Sequence, residues 1–226
     1  MLACCALLVL AVSDDYAKVK AHFVQLQEQT RVEMANARSA EAKAKVLSTA
    51  RARLIERFES ELFPAWAGTA WDFYGMSEKP REGQIACGYY ISTLLRDAGF
   101  KVDRVKLAQQ ASANIARTVA SDSEVHWYRE LTIAELLPKL RADSGEGLYV
   151  VGLPNHVVFL RLTKDDAKVC HANYLEDVTV TCEDALTAPA LQVGLFVTAP
   201  LFDDALLHSW LEGRAIPTVT RAREPK

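Results

Sequence analysis

Three side chains able to carry nucleophilic catalysis follow one another in the order cysteine, histidine, histidine: Cys87, His156 and His171. Cys87 stands where a turn-rich stretch passes into an apolar-periodic one. A cysteine at a helix start meets unpaired backbone N–H groups and the positive end of the helix dipole, and both favour the nucleophilic thiolate. Thiol hydrolysis also needs a base that takes and returns the proton, and a group that orients the base. His156 and His171 lie in strand-like runs and suit these roles. On an extended strand His156, Val158 and Leu160 share a face. His171, on the next strand, is placed to bond the far nitrogen of His156 and fix its tautomer. Asn173 is the substitute orienter, and Gln84, just ahead of the thiol, could add an amide to an oxyanion hole beside the Cys87 N–H. The Cys-His-His set could also hold zinc, but its spacing matches no familiar finger and no clear fourth ligand stands out. The reading therefore carries no metal and no cofactor. His22, His126 and His208 read as surface or packing residues.

The elements that must position these groups follow from periodicity. Residues 14–62 lack Gly and Pro and read as two amphipathic helices broken near Asn36 to Ser39. Their apolar positions are Val24, Leu26, Val32, Met34, Val46, Leu47, Leu54, Ile55 and Phe58. This extension either packs on the domain or docks a protein partner. Residues 64–86 read as loop. Helical spacing returns at Tyr90, Ile91, Leu94, Leu95 and Ala98, and Gly99 supplies a stop. Lys101 to Leu107 alternates like a strand; residues 108–143 read as helical pieces, with Thr132 and Glu135 forming a capping box. From Gly147 short β-rich runs alternate with turns, and a helix from Asp203 to Glu212 precedes a polar tail. Helices first and an antiparallel sheet afterwards make the fold class α+β. The domain division is 14–62 extension, 63–213 catalytic domain and 214–226 frayed tail.

The chain has 226 residues, a net charge of −3 and a charged fraction of 24%. Nothing in that balance favours nucleic acid. Residues 1–13 are apolar and end in Ala11-Val12-Ser13, which fits a signal peptide too short to span a bilayer. The expectation is export to a periplasmic or extracellular space, with membrane contact only in transit. Cys4 and Cys5 would leave with that segment. Cys170 and Cys182 flank a hairpin-like segment and fall opposite each other if the turn centres near Glu176, so a cross-strand disulfide could form. Cys87 would then be the odd thiol. Three reduced, partly buried cysteines are the alternative.

These residues resemble the NlpC/P60 family of papain-like cell-wall peptidases. Trp66 to Gly75 resembles that family's glycine- and tyrosine-containing loop, and Ala86-Cys87-Gly88-Tyr89-Tyr90 its nucleophile motif. His156-Val157-Val158-Phe159-Leu160 resembles its base strand, and Val169-Cys170-His171-Ala172 its third-residue strand. The likeness covers residues 65–182 in order. It implies a papain-like fold, Cys87 as nucleophile, His156 as base and His171 as orienter. Trp71 and Tyr74 stand at the substrate-binding loop, and the implied substrate is an amide in a peptide of the peptidoglycan-stem type. Ala86 replaces the family's Asp, Gly88 replaces its Ser, and a longer Cys-to-His interval adds a block that could form a lid or specificity wall. The alternatives are a catalytically silent binding module on the same fold and a thiol acyltransferase.

Overall fold

The computed structural model describes residues 2–175 and 177–221, with side chains from Asp15 onward. The side chains of the expected signal segment, the expected turn centre Glu176 and the end of the tail lie outside the described residues. Helix α1 (Leu2–Asn36) and α2 (Ala40–Arg57) form a hairpin tied by Arg53 to Glu33 at 2.9 Å. Ser39 starts α2 by accepting the Ala42 N–H at 3.1 Å. The residues turned inward are Tyr16, Phe23, Leu26, Leu47, Ala50 and Leu54; Val24 and Val32, expected on the apolar stripe, are exposed. They project from the other side of α1, because Tyr16, Phe23, Leu26 and Thr30 already define its buried side.

The helix does not stop before Pro64. A π turn, Phe58–Leu62, leads into α3 (Phe63–Trp66), where proline takes an early position that needs no N–H. Phe58 makes edge contacts with Phe23, Phe63, Phe159 and Phe202 at centroid distances of 5.4–5.9 Å. The helical extension is thus part of the main core.

Helix α4 (Cys87–Asp97) follows, then β1 (Lys101–Val102) and α5 (Arg104–Ala108). The expected strand from Lys101 to Leu107 is mostly this helical turn, because the Asp103 carboxylate accepts the Lys106 N–H at 3.0 Å and starts it. Next come α6 (Ser112–Thr118), β2 (His126–Arg129) and α7 (Ile133–Ser144), whose capping box joins Thr132 and Glu135 reciprocally. Strands β3 (Gly147–Gly152), β4 (Val157–Leu162), β5 (Ala167–Ala172), β6 (Val180–Asp184) and β7 (Leu195–Pro200) are followed by α8 (Asp204–Glu212) and β8 (Ala215–Ile216).

One six-stranded antiparallel sheet runs β2-β7-β3-β4-β5-β6. Its two faces follow strand alternation. Val157, Phe159, Cys170 and Ala172 pack with α1, α4, α6 and α8, whereas Val158, Leu160, Ala167 and Val169 pack with α7. Separately, β8 pairs in parallel with β1. The Val219 N–H reaches Thr118 Oγ1 at 3.0 Å, and Arg117 donates to the Arg221 carbonyl at 2.9 Å. The start of the expected frayed tail is therefore tied down by backbone groups that find partners. Among the described residues no helix is long and apolar enough to cross a membrane.

Candidate active site

Cys87 is the first residue of α4, and its thiol is half-buried and free. Ala86 occupies the cap position with extended backbone and has no side chain able to cap, so the first turn keeps donors available. The N–H groups of Gly88 and Cys87 in that turn, and that of Val157 at the start of β4, lie near the thiol and pull its pKa down. Burial is the larger influence, and the net result is a thiol pushed above its ordinary value.

The approach to Cys87 is built from close backbone packing. The Ala86 N–H donates to the Gly75 carbonyl at 2.9 Å, and the Ile85 N–H to that of Ala70 at 2.9 Å. A Cβ on Gly75 would stand 2.6 Å from Gln84 backbone, and one on Gly88 would stand 2.2 Å from the Ala108 carbonyl oxygen. Glycine at 88 therefore lets the end of α5 lie directly over the start of α4. Gly152 likewise admits the Ser112 backbone, since a Cβ there would meet it at 2.8 Å. The chain from Ala108 to Ser112 thus forms a wall beside both the thiol and the ends of β3 and β4.

The far end of α4 is fixed by a buried polar chain. Tyr16 donates to Asp97 at 2.7 Å, Trp66 donates to Tyr16 at 2.8 Å, and Arg96 pairs with both Asp97 and Glu78 at 2.8 Å. Arg104 holds the carbonyls of Met76 and Ser77 at 2.9 Å, so the loop, α4 and α5 are tied together.

His156, the residue before β4, and His171 in β5 are both buried. His156 Nε2 lies 2.9 Å from His171 Nδ1, and His171 Nε2 lies 2.9 Å from Glu183 Oε1. Sequence reasoning missed Glu183. The signal was the hairpin register: once Cys170 faces Cys182, Glu183 sits diagonally from His171 on the same face. Tyr174 packs on His156 with centroids 5.0 Å apart, and Trp71 packs on Tyr174 at 5.8 Å.

Strand alternation turns His171 and Glu183 toward the α7 side, whereas α4 packs on the opposite side. The thiol meets the sheet at Val157, beyond the last β4–β5 pair, Phe159 with Cys170. That point is one residue from His156. Among the described residues no hydrogen bond joins Cys87 Sγ to either histidine. A resting thiolate–imidazolium pair is not favoured either. Burial, helped by the nearby His171, lowers the His156 pKa to about 3, so both partners rest uncharged.

Of the other expected site residues, Asn173 is occupied elsewhere: its Oδ1 accepts the Leu175 N–H at 3.0 Å and shapes the turn. Gln84 has an exposed side chain, and its carbonyl accepts the Ser77 N–H at 2.9 Å. Tyr74 is 81% exposed and leans on Phe73, apart from the histidines, whereas Trp71 reaches them through Tyr174. Cys170 and Cys182 are joined in a disulfide across β5 and β6. A cavity of about 620 Å³ lined by Arg51, Glu146, Tyr149 and Asp203 lies at the other end of β3 from this cluster.

No family model matches the chain, and no curated protein and no solved structure is significantly similar to it.

Proposed function

We propose that the protein is an exported cysteine hydrolase of papain-like, NlpC/P60-type fold, cleaving an amide or peptide bond, with cell-wall stem peptides as the leading substrate class. The observation that carries this reading is the hydrogen-bonded His156–His171–Glu183 chain, whose His156 directly precedes Val157, the β4 residue whose N–H lies near the helix-start thiol. Because His156 Nε2 is engaged by His171, Nδ1 is the nitrogen left to serve Cys87. In the reaction Nδ1 takes the thiol proton as Sγ adds to the carbonyl carbon, and N–H groups of the first turn of α4 hold the oxyanion. His156 then returns the proton to the leaving amine, and water releases the acyl group by the same exchange. The disulfide supports an oxidising compartment. Trp71 and Tyr174 supply an aromatic wall for the acyl portion.

The test is release of new amino groups from defined stem-peptide fragments by wild type, Cys87→Ala and His156→Ala. Turnover that vanishes in both variants supports the assignment; turnover that survives Cys87→Ala overturns it. The second reading, a silent binding module, is favoured by one observation: the raised thiol lacks a hydrogen bond to His156. Fragment binding that is equal in wild type and Cys87→Ala, without cleavage in either, selects that module.

A further inference from the structure

We propose that Glu183 is a positioning residue: its carboxylate fixes the polarity of the histidine pair, so that His156 keeps a bare Nδ1 for the thiol. The inference rests on the Cys87–His156 reading above and deepens it.

Donor and acceptor capacity along the chain decides the tautomers. A carboxylate only accepts, so the 2.9 Å contact between Glu183 Oε1 and His171 Nε2 places the hydrogen on that nitrogen. A neutral imidazole carries one N–H, which makes His171 Nδ1 an acceptor. The 2.9 Å contact from His171 Nδ1 to His156 Nε2 then requires the hydrogen on His156 Nε2. His156 Nδ1 is left with its lone pair. Reversed, the pair would set a lone pair against the carboxylate and a hydrogen on His156 Nδ1, and no base would remain. Burial keeps both rings in the neutral form to which this logic applies.

The fold places Glu183 for this task. Val169 pairs with Glu183 and His171 with Thr181, so the carboxylate stands diagonally from the ring on one face of β5 and β6. The disulfide lies one residue from each, with Cys170 beside His171 and Cys182 beside Glu183, and holds that register. When His156 Nδ1 takes the Cys87 proton, Nε2–H stays on His171, and the new positive charge has the carboxylate two bonds along the chain. The proton later leaves from Nδ1 to the amine, and the pair returns to its starting tautomers.

The experiment is ¹⁵N NMR of histidine-labelled full-length protein at neutral pH, with His156→Gln and His171→Asn variants for assignment. Both rings are expected as the Nε2–H tautomer. Glu183→Gln, whose amide both donates and accepts, is expected to move a measurable fraction of both rings to Nδ1–H and to slow Cys87-dependent hydrolysis at least about tenfold. Glu183→Asp is expected to restore the tautomers in part. A wild-type spectrum with Nδ1–H on either ring overturns the proposal, and that spectrum decides even if Glu183→Gln fails to fold. So do tautomers unchanged in a Glu183→Gln protein that melts like wild type. Loss of the hydrolase assignment is read separately, from Cys87→Ala, and leaves the tautomer measurement valid.

Discussion

Burial makes His156 and Cys87 both prefer their uncharged forms, and this sets two pH responses. The folded value for His156, about 3, lies below its ordinary value of 6.5, so the unfolded chain binds the proton first on acidification. The contribution to stability is fully present above the ordinary value and is lost as pH falls toward the folded one, by about 1.4 kcal/mol per pH unit. Burial shifts His171 in the same direction. Denaturant melts between pH 7 and pH 4 should show this slope in wild type and a shallower one in His156→Asn; equal slopes would refute the buried neutral histidine. For the thiol, iodoacetamide labelling of Cys87 should stay slow at neutral pH and accelerate only above the ordinary thiol range, about 8.5. Rapid labelling at pH 6 would instead reveal a resting ion pair. His156→Ala should cut kcat/KM by about 10²–10⁴ and leave that labelling profile in place. The thiol and the two histidines were legible from residue type and from a helix start. The carboxylate behind them was not, because it emerges only when the register that sets Cys170 opposite Cys182 is carried one residue further, to Glu183. Asn173 and Gln84 were harder to read because polar residues near a thiol serve turns as readily as they serve chemistry.

At the scale of the elements, the most constrained contact is between α4 and α5. Gly88→Ala would drive a Cβ into a backbone carbonyl, not a flexible side chain. The expected cost is about 1–3 kcal/mol, read as a drop in denaturant midpoint, with α5 displaced from the thiol. A Gly88→Ala protein as stable as wild type would mean that α5 is free to move. The helices and most strands could be read from the sequence because capping chemistry and apolar spacing agree there: Thr132 with Glu135, or Tyr90, Ile91, Leu94 and Leu95 ahead of Gly99. Lys101 to Leu107 was misread because seven residues of mixed alternation fit a strand and a capped helical turn alike, and only the Asp103 side-chain bond separates them. Pro64 was misread as a stop because its effect depends on where in a helix it falls.

At the scale of the whole molecule, the helical hairpin and the sheet share one core, and Phe58 is its meeting point. Phe58→Ala is expected to cost about 3–5 kcal/mol, and a chain beginning at residue 63 should fail to fold cooperatively. An independently folded fragment from residue 63 would restore the idea of a separate extension. Sequence alone left that question open, since an amphipathic helix shows that one side is covered and not what covers it. The disulfide has a preparative consequence. Apart from Cys4 and Cys5, material folded under oxidising conditions presents one titratable thiol, Cys87, whereas material folded in a reducing cytosol presents three, with Cys170 and Cys182 added. A thiol count on freshly isolated, denatured protein therefore records where the chain was folded, before any assay is run. It also distinguishes two preparations of identical sequence that differ in whether a covalent bond backs the β5–β6 register that sets Glu183 against His171.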